Sequence, residues 1–274
     1  MLNLYGNLTD LKAILNIVSS PADSVIMEQL KAATKDIEEY CHRRFYSWLA
    51  TMYYDGKAYI LPDIDDLLSV TSFHLDMGDG TFPITLITTE PPDYFLYPLA
   101  DSYFPKRMVR ANPFGRYPGF SGGIRRSVKI TGLWGYGTGY TATPWSPCGV
   151  TATVGATGAA VTVSADGIIK PGHTIYVDSE FMFVQSVATG SITVVRGVNG
   201  STAAAHSGAA VSICEYPGDI QQTCYKLAAR YLAQIGKIGF ISERISDYSY
   251  QMKHDNTDIL TELDPYIRTS GWVV

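Results

Sequence analysis

Two stretches with a helical apolar period lie near opposite ends of this 274-residue chain, and most of what separates them is patterned for strand. In the first, Val25, Ile26, Leu30, Ala33, Ile37, Tyr40 and Cys41 recur at three- and four-residue spacing, giving one apolar face up to about Arg44. Ser20 as cap, Pro21 at the first helical position and Asp23 three residues after the cap mark its start. In the second, Ile220, Cys224, Leu227, Ala228, Tyr231, Leu232 and Ile235 share a face from Asp219 to Ile235, with Gly236 near the stop. Neither stripe can hide itself, so the two helices are expected to pack against each other. A shorter helix is expected before them, capped by Thr9 and carrying Leu11, Ile14 and Leu15.

From Phe45 to Gly135 the residues change to Tyr, Thr, Val, Phe and Ile, punctuated by Asp55-Gly56, Gly78-Asp79-Gly80 and Pro91-Pro92-Asp93. Short antiparallel strands with hairpin turns follow from that pattern. Residues from about Pro147 to Glu215 are almost free of charge and rich in Ala, Gly, Thr, Ser and Val, with alternation at 160–163, 174–177 and 191–194. They read as a small all-β module, and since Tyr216-Pro217-Gly218-Asp219 resets the pattern to helix, the module reads as an insertion. The fold expected is therefore α+β: a helical frame with antiparallel hairpins over 1–146 and 216–274, interrupted by a β module at 147–215. The C-terminal part carries a Tyr-rich extended piece with Tyr248 and Tyr250, a short helix with Ile259, Leu260 and Leu263 ending near Pro265, and an apolar tail, Gly271-Trp272-Val273-Val274.

A composition that is 46% hydrophobic supports a real core, and the net charge of −5 argues against a surface built to grip DNA, which needs clustered Lys and Arg. The basic pairs Arg43-Arg44, Lys106-Arg107 and Arg125-Arg126 read as solvated strand and helix ends. No apolar run approaches the roughly 20 residues that span a bilayer, and MLNLYGNLTDLK lacks a signal peptide's basic start and apolar stretch, so a protein made and kept in a cytoplasm is expected. Cys41, Cys148, Cys214 and Cys224 lie far apart, suggesting free thiols and not a disulfide framework or zinc ribbon.

The motifs that spell chemistry lack the context chemistry needs. KITGLWGYGTGY, residues 129–140, has a phosphate loop's glycines, but Pro144 and Pro147 follow where a helix should begin. It reads as a strand ending in a glycine turn. Gly119-Phe120-Ser121-Gly122-Gly123 matches a hydrolase nucleophile elbow, yet a strand-like run follows Ser121 in place of a helix. His42, His74, His173, His206 and His254 show no chelating spacing, and Asp63, Asp65 and Asp66 lack the later glycine and glutamate of a calcium loop, so they read as a polar turn. The sequons at Asn7 and Asn199 carry little weight without a signal peptide. No catalytic residue, cofactor or metal is expected.

The order of the pieces is more specific than any motif. The helix ending Ile37-Glu38-Glu39-Tyr40-Cys41-His42-Arg43-Arg44-Phe45, the strand Tyr53-Tyr54-Asp55-Gly56 leading to Ile60-Leu61-Pro62, the strand end 128–137, the late helix with Ala228-Ala229-Arg230-Tyr231-Leu232-Ala233, and Ile245-Ser246-Asp247-Tyr248-Ser249-Tyr250 before a 260–266 helix together resemble the head-to-tail connector (adaptor, head completion) proteins of tailed bacteriophages. The resemblance covers about 20–140 and 216–268. The segment 175–206 is similar to a β-rich module recurring in phage structural proteins, which most compact connectors lack. The resemblance implies a structural virion protein of the neck: a ring, commonly of twelve copies, that joins the portal to the tail or nozzle protein and lines the channel through which DNA passes without specific binding. It points to the C-terminal segment, with Tyr266, Arg268, Trp272, Val273 and Val274, as the portal contact, and the Tyr-rich piece with Tyr248 and Tyr250 suits subunit contacts because Tyr is a frequent interface anchor. Two rivals are a carbohydrate- or receptor-binding phage protein acting through the β module, and a hydrolase using Ser121.

Overall fold

The computed structural model describes residues 3–17, 23–120, 122–235, 242–245, 248–251 and 256–269. The two long apolar stripes form helices α2 (Asp23–Cys41) and α3 (Gly218–Gln234), preceded by the short α1 (Leu8–Ile14) and followed by α4 (Thr257–Leu260) and a 3-10 turn at Thr261–Tyr266. Ile26, Leu30, Ala33, Ile37 and Cys41 of α2 meet Ile220, Cys224, Leu227 and Ala228 of α3 in one core, all fully buried. Each large aliphatic side chain hidden there contributes about 1.5–3 kcal/mol. This is the expected helix pairing, assembled from the two ends of the chain.

Three local expectations are corrected. The α2 helix stops at Cys41, short of Arg44, because His42 takes a left-handed φ of 51° and turns the chain out of the helix. The cap of α1 is Asn7, whose side chain accepts the Asp10 N–H at 2.9 Å, and not Thr9; Asn7 is buried, which removes it as a glycosylation site. Val25, Ile14 and Ile235, expected on apolar faces, are exposed, Ile235 because it lies beyond the end of α3. The caps Ser20 and Pro21 fall outside the described residues.

The middle of the chain builds β1 (Trp48–Tyr54), β2 (Ile60–Leu61), β3 (Leu67–Leu75), β4 (Ile84–Leu86), β5 (Tyr94–Tyr97), β6 (Met108–Ala111) and β7 (Val128–Trp134). They form two antiparallel sheets, ordered β1-β7-β3-β4 and β2-β6-β5. Of the three turn signals, only Gly78-Asp79-Gly80 closes a hairpin, β3 to β4; Asp55-Gly56 and Pro91-Pro92-Asp93 carry the chain between sheets. Phe73, Ile130, Trp134, Tyr94, Val109 and Phe120 fill the space between them. The β7 strand ends in the glycine turn, where Gly135 has a φ of 124° and a Cβ would overlap the Tyr46 carbonyl. Only glycine fits there.

A six-stranded closed barrel follows, made by β8 (Trp145–Val154), β9 (Ala160–Val163), β10 (Thr174–Val177), β11 (Glu180–Ala188), β12 (Ser191–Val198) and β13 (His206–Cys214). Its interior is Val150, Val161, Ile175, Val177, Met182, Val184, Ile192, Val194 and Val211. Pro147, read as the module's start, lies inside β8 beside an irregularity in the β8–β13 ladder, where a missing N–H is tolerated. The barrel is tied into its surroundings. Phe183 packs in the helix core, Phe181 packs with Leu68 and Leu133, and Leu49 donates its N–H to the Asn199 carbonyl at 2.8 Å. The last strands, β14 (Ser242–Ile245) and β15 (Tyr248–Gln251), pair as a hairpin. With four helices against fifteen strands among the described residues, the mixed α+β class holds, but the frame is helical only in part. No helix among the described residues is long and apolar enough to cross a membrane.

Candidate functional site

Where α2 ends, the chain's C-terminal segment returns and is fastened to it. The Arg268 N–H donates to the carbonyl of Cys41, the last residue of α2, at 2.8 Å. Its guanidinium donates to Asp65 at 3.0 Å, to Asp63 at 3.1 Å and to the Ile64 carbonyl at 3.0 Å. Burial works against the Arg268 charge, yet its hydrogen bonds to Asp63 and Asp65 hold its pKa above the ordinary value. The acidic turn after β2 is therefore a guanidinium receptor, and no cluster fit for a metal occurs among the described residues.

Behind this clamp sits a second, drier pair. The Arg43 and Asp66 side chains are each 6% exposed, 3.3 Å apart, and Arg43 also lies over the Tyr136 ring at 4.7 Å from its centroid. Burial lowers the Arg43 pKa, and burial raises that of Asp66, in each case only partly offset by the other's charge. Arg43 Nε and Asp66 Oδ1 make no hydrogen bond with protein atoms, so the pair favours its charged form less than a fully bonded one would. In front of both lies an open cleft of about 440 Å³ whose walls include Lys35, His42, Arg44, Trp48 and Met52.

Tyr266 completes the anchor. Its ring stacks edge-on against Phe45 and Tyr136, each at 5.7 Å, and its hydroxyl donates to Asp219 at 3.2 Å. Tyr266 and Arg268 thus share one region with α2 and the 63–66 turn. Trp272, Val273 and Val274 lie outside the described residues, Tyr248 and Tyr250 are placed on β15 by their backbone, and Ser121 is also outside, with turns and then β7 following it in place of a helix.

In two basic pairs expected at solvated ends one member is buried, while Arg44 and Arg107 are exposed as expected. Arg43 is buried against Asp66, and Lys106 is 6% exposed, its ammonium donating to the Pro98 and Ala100 carbonyls at 2.6 and 2.7 Å. A third polar cluster, in the barrel, has no counterpart among the expectations. Glu180, fully buried, accepts five hydrogen bonds: two from Arg196, both 2.7 Å, one each from the Gly197 and Ala204 N–H groups, and one from His206 Nε2 at 3.0 Å. His206 Nδ1 meets Asp178 at 2.7 Å. Burial alone would raise the Glu180 carboxyl, but these donors bring it down to about 2. Arg196 also donates to the carbonyls of Gly155, Gly158 and Ala204, so the cluster pins the 197–205 loop that docks on β1. These arrangements organise chain segments; none sets a nucleophile beside a base.

No curated protein matches the chain. Residues 5–72 match the family model described as phage gp6-like head-tail connector protein. The matched segment contains α1, α2, β1, β2 and the start of β3, and with them Cys41, Phe45 and the 63–66 turn that hold Tyr266 and Arg268. Over residues 5–72, about a quarter of its length, the chain is thus similar to the phage head-to-tail connector family.

Proposed function

We propose that the protein is a ring-forming adaptor in the virion neck, joining the portal to the tail and lining the path by which DNA leaves the capsid. The observation that carries this reading is the family match over 5–72 combined with the clamp that closes on it. Arg268 and Tyr266 fasten the end of the described chain to α2 and the 63–66 turn, so whatever follows Thr269 departs from a defined point. The Trp272-Val273-Val274 tail then offers an apolar anchor to the portal, with Tyr266 and Arg268 at its root. The β14–β15 hairpin, which carries Tyr248 and Tyr250, supplies the contact to a neighbouring copy in a ring of about twelve, the number common in the family it resembles. The chain divides functionally into a discontinuous connector frame, 1–146 and 216–274, and an inserted module, 147–215. It acts by assembly, with no catalytic step.

Co-sedimentation with purified portal rings tests the tail. Deleting Gly271 to Val274 is expected to leave the melting temperature unchanged and abolish co-sedimentation. Unaltered portal affinity in the truncated protein would place the contact elsewhere.

A further inference from the structure

The outer face of the β1-β7-β3-β4 sheet carries a feature that the adaptor reading does not account for. Strand register places Tyr53, Lys129, His74 and Thr85 in one row across the four strands, and Thr51, Thr131 and Ser72 in the next. The Thr51 and Thr131 hydroxyls are hydrogen-bonded at 2.8 Å, as expected for neighbours on one face. The opposite face, with Ile130, Phe73 and Val128, enters the core. Toward Leu133 this outer face is covered by Phe181 of the barrel, but at the Tyr53 end it is open, Tyr53 itself being 40% exposed.

Two cations are held over aromatic rings at that open end. The Arg126 guanidinium lies 4.6 Å from the Tyr53 ring centroid and the Lys129 ammonium 5.5 Å from that of Phe82, and the two rings meet edge to face at 5.7 Å. Lys57 and Arg125 are exposed on adjoining turns, and none of the four cations has an ion-pair partner among the described residues. The acids nearby, Asp55, Asp76 and Asp79, are used by the turns: Asp76 accepts the N–H groups of Gly78, Asp79 and Gly80, Asp79 that of Thr81, and Asp55 that of Arg126. The rows and the turns beside them present cations, hydroxyls and the two rings under the cations. Phosphate oxygens are met by Arg, Lys, Ser and Thr side chains of this kind.

We infer that the open end of this sheet face is a contact surface for the phosphate backbone of duplex DNA. The inference rests on the reading of the chain as a lining of the DNA path and names the surface that faces the duplex. A contact made by Lys and Arg to phosphates is sequence-independent and salt-labile. Such a surface touches the duplex without retaining it, in keeping with a chain of net charge −5.

The test uses the full chain and a fluorescein-labelled duplex of arbitrary sequence, with anisotropy followed over a salt series from low ionic strength. Arg126→Glu/Lys129→Glu is expected to weaken binding by more than about tenfold and to lower the slope of log K against log salt by about 2, one for each phosphate no longer neutralised. Lys31→Glu/Lys35→Glu on α2 serves as a charge-matched control and should produce no slope change. Equal affinity and slope in the Arg126/Lys129 variant would overturn the inference, as would displacement of the duplex by polyglutamate at lower charge concentration than by unlabelled DNA, which would indicate an acidic protein partner. Portal co-sedimentation of the same variant separates the two readings. If it persists while the duplex results go against the inference, the adaptor reading stands without this surface.

Discussion

Replacing Glu180 should unfasten the barrel, and the size of the effect follows from what surrounds that carboxylate. It is fully buried and accepts five hydrogen bonds, from Arg196 (9% exposed), His206 (2% exposed) and two backbone N–H groups. Glu180→Ala leaves a buried guanidinium and a buried imidazole without their shared acceptor. Breaking a buried pair from one side costs about 3–5 kcal/mol. At about 2–4 °C per kcal/mol for a chain of this size class, the melting temperature should fall by roughly 10 °C. Glu180→Gln should be nearly as damaging despite its matched volume, because its amide turns two donors toward a ring of donors. Glu180→Leu/Arg196→Met, which removes both charges, should cost less than the sum of the single changes. The pH dependence has a definite sign. The folded carboxyl is depressed to about 2 from 4.5, so its contribution is complete above pH 4.5 and lost as pH falls toward 2. Thermal melts at several pH values, followed by circular dichroism, measure all of this. A Glu180→Gln protein as stable as the parent would refute the argument that the carboxylate's charge organises the loop.

Leu30→Asp or Leu227→Asp places an unpaired carboxylate in the fully buried α2–α3 core and should cost several kcal/mol, read as loss of soluble protein or a much lower melting temperature. Replacing Cys148 to Glu215 with a short Gly/Ser linker should keep the helical circular dichroism signal but lower the melting temperature, because Phe183 leaves the helix core and Leu68 and Leu133 lose Phe181. Complete loss of helical signal would show that the frame cannot form without the barrel.

Local periodicity made the helix pair, the strand end before the glycine turn and the alternating barrel strands legible in the amino-acid sequence. What stayed hidden was set by partners distant in the chain. Nothing near Arg43 announces that Asp66 will bury it, nothing near Asp63 and Asp65 announces Arg268, and the acidic turn looks the same whether it is to hold water, a cation or a guanidinium. The Glu180 cluster joins β11, β12 and β13, and its members become neighbours only once the barrel closes. The end of α2 depends on one backbone angle at His42, a residue type that enters the left-handed region more often than most but occurs far more often outside it. The barrel's attachment through Phe181 and Phe183 is invisible for a related reason: both sit in an ordinary apolar strand run, with nothing to mark them as facing outward into other cores.

Electron microscopy of the purified protein mixed with its portal tests the adaptor account most directly. The account predicts a closed ring of this chain seated coaxially on the portal, with the C-terminal tail directed into the portal and the open sheet face toward the central channel. A portal ring left bare at saturating protein, or the chain attached singly at the periphery through its barrel, would contradict it.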